Sequence, residues 1–123
     1  MDLGFAGQAV VSVDFGFTVA VAFAGGYEVR VEVPFTLRLN DFEGQIEPGR
    51  DDDASPVARL LGQIVSLARA DDAGWLRVDF ADGGRLLAGP DSSFEAWTVA
   101  GPDGFKMVCG PGGELSVWSP QHD

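Results

Sequence analysis

Histidine, cysteine and lysine are almost missing from this chain of 123 residues. It has one histidine, His122, one cysteine, Cys109, and one lysine, Lys106. Zinc sites need clustered imidazoles, thiolates or carboxylates, so no metal centre and no cofactor is expected. A Ser–His–Asp triad would have to use His122, in an expected tail, and is set aside. A single cysteine allows no intrachain disulfide, which fits a reducing, cytoplasmic setting. No Gly-x-x-x-x-Gly-Lys loop is present to cradle a phosphate. Long apolar runs are missing too: nothing approaches the ~18 residues of a membrane-spanning helix. The opening MDLGFAGQAV lacks the basic start and long apolar stretch of a signal peptide.

Positive charge is scarce. Eight Lys and Arg face 19 Asp and Glu, for a net charge of −11. Phosphate recognition needs clustered cations, so neither nucleic acid nor an anionic membrane is expected as a partner. A basic protein partner fits the charge, and so does plain solubility. The basic residues other than Lys106 are all arginine. With abundant Ala and Gly, this points to a GC-rich bacterial source.

What the chain has in quantity is glycine, 17 residues, and hydrophobic residues, 46%. One domain is expected, large enough to bury roughly two thirds of its unfolded surface. A phrase is written nearly twice: FAGGYEV from Phe23 and FADGGRL from Phe80. Around the first, residues 7–33 read GQAVVSVDFGFTVAVAFAGGYEVRVEV; around the second, residues 62–89 read GQIVSLARADDAGWLRVDFADGGRLLAG. Each has Gly-Gln, a β-rich run, a second run ending in Phe-Ala, a glycine turn and a third run. The second copy has two extra residues in its first turn. A duplicated three-strand unit is the expected architecture.

Period-two alternation marks strands over residues 27–33, 35–39 and 75–80. Residues 17–23 are apolar on both faces and read as a central strand covered on both sides. Gly25-Gly26 suits the two positive φ angles of a type I′ turn. Asp82-Gly83-Gly84 does the same with one more residue. Pro102-Asp103-Gly104 suits a type I turn closing on glycine. With Pro111-Gly112-Gly113 it makes the C-terminal part a meander over 95–100, 105–109 and 115–118. Residues 44–55, GQIEPGRDDDAS, read as a polar loop. Ser55 then caps a short helix with Pro56 at its first position. Leu60, Leu61, Ile64 and Val65 fit a 3.6 period and would carry the helix to about Arg69, whereas the repeat makes 63–70 a strand. The reading taken is a helix ending near Leu61. The fold expected is mostly β, antiparallel sheets in a rolled barrel or sandwich. The first strand unit is 7–39, the acidic loop and helix 44–61, the second unit and meander 62–118, and the tail 119–123.

Residues 94–118, FEAWTVAGPDGFKMVCGPGGELSVW, resemble the C-terminal part of a small, largely actinobacterial family of unknown function. That family ends in a Glu-Ala-Trp segment, a Gly-Pro-x-Gly turn and a Pro-Gly-Gly-x-Leu-x-Val-Trp terminus. Its upstream Pro-Phe-Thr-Leu and Phe-x-Asp-Gly segments are matched at residues 34–37 and 80–83. The resemblance implies no activity and no catalytic residue. Toxin immunity is the one role it suggests.

Among individual residues, Glu95 and Trp97 are two apart and so expected on one strand face, with Trp118 beside them if the last strand joins the meander. A carboxylate with two tryptophans would make a binding patch; a buried pair of tryptophans would make a core. Trp75 alternates with Arg77 and Asp79 and is the better exposed candidate. Asp51, Asp52 and Asp53 are expected as a mobile first contact for a basic partner. They lack the Asp-x-Asp-x-Asp-Gly spacing that wraps calcium. Cys109 alternates with Phe105 and Met107 and reads as a buried small hydrophobe. The function expected is a non-enzymatic interaction module with an acidic surface, of the immunity-inhibitor type, with a protein partner or a second copy. The alternatives are a barrel holding a small molecule in a cavity lined by residues 17–23, and a hydrolase or isomerase using loop carboxylates, with Glu95 the candidate.

Overall fold

The computed structural model describes residues 1–50 and 56–119. Asp51, Asp52, Asp53, the Ser55 cap and His122, with the expected mobility of residues 51–53, lie outside the described residues; residues 44–46 of the expected loop are instead strand, with Ile46 buried.

The described residues form eleven strands in two antiparallel sheets. In chain order they are β1 (Val10–Phe15), β2 (Val19–Phe23), β3 (Tyr27–Val31), β4 (Phe35–Leu39), β5 (Phe42–Ile46), β6 (Val65–Ala70), β7 (Leu76–Phe80), β8 (Arg85–Ala88), β9 (Trp97–Ala100), β10 (Lys106–Cys109) and β11 (Leu115–Trp118). The six-stranded sheet runs β1-β2-β3-β9-β10-β11 and the five-stranded sheet β5-β4-β8-β7-β6. They are layered as a sandwich and do not close into a barrel.

Alternation decides the layers. Val29 and Val31, Val99 and Trp97, Met107 and Cys109 turn inward from one sheet; Phe35 and Leu37, Leu86 and Ala88, Leu76, Val78 and Phe80 turn inward from the other. All are 0–2% exposed. Phe5 fills one end of this core, its ring 4.8 Å from Phe23 and 5.2 Å from Tyr27.

Two three-stranded meanders, β1–β3 and β6–β8, have matching registers. β1 bulges between Val10 and Ser12, with Val10 opposite Phe23. β6 bulges between Val65 and Leu67, with Val65 opposite Phe80. Residues 16–18 join the first two strands of one meander and residues 71–75 those of the other, a turn two residues longer, as the sequence spacing requires. The hairpin after β2 does use positive φ at Gly25 and Gly26 (84° and 86°), but Ala24 joins them in a loop between the paired Phe23 and Tyr27.

One side of the sandwich is sewn shut. The N-terminal segment runs along β6 before entering β1. Leu3 N–H donates to Ala68 C=O at 2.9 Å, Gly7 N–H to Val65 C=O at 2.7 Å, and Val10 N–H to Gln63 C=O at 2.9 Å. The same chain therefore edges one sheet and then founds the other.

Several expectations need correction. Phe17 is not in β2 and is 96% exposed, at the tip of the β1–β2 turn. β2 is a central strand, as expected: Val19, Val21 and Phe23 pack into the core, and on the other face Ala20 is buried (3% exposed) and Ala22 half-buried, between Asp14 and Ser12 of β1 and Arg30 and Glu28 of β3. The small alanines are shaded by the longer neighbouring side chains. The short helix ends near Leu61 as expected but is 3-10, Pro56–Leu60, and it is the extension to about Arg69 that fails, because residues Val65–Ala70 are strand. The apparent 3.6 period is split, with Leu60 and Val65 buried, Leu61 and Ile64 exposed, and Gly62 at φ 82° between them. At Pro102-Asp103-Gly104 the turn is not type I, because Asp103 takes φ 60°. A short aspartate tolerates that region better than most residues.

Candidate functional site

The three tryptophans occupy three layers. Trp97 is fully buried, its indole N–H donating to Gly74 C=O at 2.9 Å, beside the Cys109 thiol at 3.5 Å from the same oxygen. Burial raises the Cys109 pKa, so the thiol stays protonated and unreactive. Trp97 is a core residue and leaves the candidate surface. Trp118 is 52% exposed on the outer face of the six-stranded sheet, and Trp75 is 44% exposed on the outer face of the five-stranded sheet. The expected grouping of Glu95, Trp97 and Trp118 is therefore half right. Glu95 precedes β9, so strand alternation does not bind it to Trp97. It is exposed, and it lines a shallow cleft with Trp118.

That cleft lies at the free end of the six-stranded sheet and is walled by Glu95, Lys106, Val108, Pro111, Glu114 and Trp118. β10 and β11 pair in register, with Lys106 opposite Trp118 and Val108 opposite Ser116. This cross-strand pairing sets the Lys106 ammonium over the Trp118 ring, 5.7 Å from its centre, as a cation–π contact. Two carboxylates, one ammonium and an aromatic face thus share one hollow.

β11 has no neighbour beyond it among the described residues. Gly110 N–H donates to Glu114 C=O at 2.8 Å. In an antiparallel ladder the bonded pairs recur every second residue, so Ser116 and Trp118 also bond inward to β10. The backbone N–H and C=O groups of Leu115 and Val117 therefore point away from the sheet. Val117 is 44% exposed. β1 is an edge of the same sheet, tied beyond β2 through Val10 to Gly62 and Gln63, with Val11 exposed. The edge at β5 is different. Exposed Glu43 and Gln45 stand on it, and the Phe42 ring lies where a Cβ on Gly44 would be, 2.9 Å away. Charged and irregular edges resist added strands.

Trp75 is held in place. Its ring packs over Gly89, where a Cβ would come within 2.7 Å of it. Asp71 accepts the backbone N–H groups of Ala73 and Trp75, each at 3.0 Å, and fixes the turn that presents the ring. Lys106, Glu114 and the outward backbone of β11 were not singled out from sequence; the alternation Lys106–Val108 against Ser116–Trp118 carries the signal, once the two strands are known to pair. Among the described residues no cluster of His, Cys, Asp and Glu is placed to hold a metal ion, and no helix is long and apolar enough to cross a membrane.

The chain belongs to a family of unknown function (DUF6188), whose family model matches residues 1–119. No curated protein and no solved structure matches it.

Proposed function

We propose that this chain is a non-enzymatic, cytoplasmic interaction module that takes a strand of a partner protein against β11. The observation that carries this reading is the exposed edge at Leu115 and Val117, apolar where β5 is charged. Strand addition draws its affinity from main-chain hydrogen bonds and its specificity from pockets beside them. The pocket here is the cleft of Glu95, Glu114 and Trp118, which suits a cationic or amphipathic side chain of a basic partner. Charge on both sides would speed encounter and make it sensitive to salt. The reading includes a bacterial, largely actinobacterial family, with Glu95-Ala96-Trp97 and the segment 111–118 as its signature; both border this cleft. It includes descent of β1–β3 and β6–β8 from one duplicated unit, supported by their equal bulges. An inhibitor of a basic toxin is the specific form favoured by the net charge of −11.

Val117→Pro tests it. Proline removes the outward N–H of Val117 without touching a bond to β10, and edge positions tolerate it. The wild-type chain, immobilised in lysate of its native host, is expected to retain a stoichiometric partner that the Val117→Pro chain loses at unchanged melting temperature. Failure to recover any stoichiometric partner sinks the proposal.

A further inference from the structure

The outer face of the five-stranded sheet reverses the charge of the molecule. β6, β7, β8 and β4 each place one arginine on it: Arg69, Arg77, Arg85 and Arg38. In register, Arg69 stands opposite Arg77, and Arg85 opposite Arg38. Against these four guanidiniums the strands of this face carry two carboxylates, Asp79 and Glu43. Asp79 is bonded by Arg77 at 2.6 Å and by Arg85 at 2.8 Å. The pair of arginines is thereby fixed in position, and the one carboxylate offsets half of its charge.

The other two are available. Arg69 is exposed and its side chain has no hydrogen bond or ion pair among the described residues. Arg38 makes one long contact, 3.4 Å to Gly83 C=O. Beside Arg69 and Arg77 a hollow of about 420 Å³ is walled by Trp75, Asp71 and Asp72. Asp71 is engaged with its own turn; Asp72 is exposed. The half-buried Leu67 and Leu87 add apolar surface to the same face.

We infer that this face binds a short acidic peptide segment of a partner protein, with carboxylates on Arg69 and Arg38 and an apolar side chain against Trp75. Strands lie about 4.8 Å apart, so the three steps from β6 to β4 span roughly 14 Å, the length of about four extended residues. Guanidinium forks suit carboxylates, and an exposed, rigid tryptophan among arginines is the usual composition of an interface anchor. The rest of the surface decides the size of the ligand. At physiological salt charges are screened beyond about 8 Å, so a short peptide feels the local arginines. A long polyanion such as nucleic acid would run onto the acidic remainder. This surface lies on the opposite layer from β11, and its occupant is of opposite charge to the one proposed there.

A fluorescein-labelled peptide, Glu-Glu-Leu-Glu-Asp, and its Gln-Gln-Leu-Gln-Asn counterpart can be compared by anisotropy with the whole chain. The acidic peptide is expected to bind at least tenfold tighter. Arg69→Glu combined with Arg38→Gln should lower its affinity tenfold or more, with the circular dichroism unchanged because both side chains are exposed. Asp72→Asn should raise affinity two- to threefold, and Val117→Pro should leave it as it was. Equal binding of the two peptides overturns the inference. So does retained affinity in the arginine double variant, or tighter binding of a single-stranded oligonucleotide of equal charge.

Discussion

In β1–β3 the strand bulge follows Val10, opposite Phe23; in β6–β8 it follows Val65, opposite Phe80. Phe23 and Phe80 are 3% and 2% exposed and end their strands at the same place. On the other side the two meanders part company. The first shows Ala20 and Ala22 with an exposed pair, Arg30–Glu28 at 3.2 Å, whose side chains are 47% and 42% exposed. The second shows Asp79, 17% exposed, clasped by two arginines. Side chains turned into the shared interior must fit a common space, because cores are close-packed and punish changes of volume. Side chains turned to water carry no such obligation, and there each meander carries its own charge.

The widest test of that comparison is at the phenylalanines. Phe23→Ala and Phe80→Ala should each cost about 3–5 kcal/mol in urea denaturation, the range for truncating a buried Phe. A cost under about 1 kcal/mol at one site but not the other would show that the two positions are not equivalent. The outer faces should respond less. Burial of Asp79 opposes its ionisation, but the hydrogen bonds and charges of Arg77 and Arg85 more than offset this, and its pKa lies below the usual 3.8. A lowered carboxylate pKa adds stability that is fully present above the unfolded pKa and disappears as pH falls through the folded one. Asp79→Asn should therefore cost about 1–2 kcal/mol at neutral pH, and the gap from wild type should close as pH drops below 3.8. A gap that stays constant down to the acid transition would assign the loss to packing instead. Glu28→Gln, in the equivalent layer of the first meander, should change stability by less than about 0.5 kcal/mol, as exposed ion pairs do; a thermal melt resolves whether it matches Asp79→Asn, which would erase the contrast.

The parts legible in sequence are those fixed by neighbours along the chain. Alternation located β4 at its observed ends and β7 to within one residue. The repeat placed 63–70 in a strand where helical periodicity argued otherwise, because the bulge after Val65 disturbs the period that a strand would show. Glu95 and Trp97 failed for the opposite reason: alternation was applied across the start of β9, where the consecutive Ala96 and Trp97 are both buried. Phe17 was read into a strand that begins two residues later. The arginine face could not be seen at all. Arg38, Arg69, Arg77 and Arg85 are far apart in sequence, and only the strand order β4-β8-β7-β6 aligns them. The same holds for β11, whose character as an edge follows from β9 pairing with β3 rather than with its predecessor.

That pairing of β3 with β9, Val31 opposite Trp97, also sets a timetable for synthesis. The whole five-stranded sheet is encoded between the two partners. At about 5–20 residues per second, β3 leaves the ribosome seconds before β9 exists, with its inward Val29 and Val31 finished and its second neighbour not yet made. The N-terminal segment waits in the same way for β6. The strands made first are thus the last to be sheltered, and the nascent chain must keep one open edge in solution until β9–β11 emerge to close it.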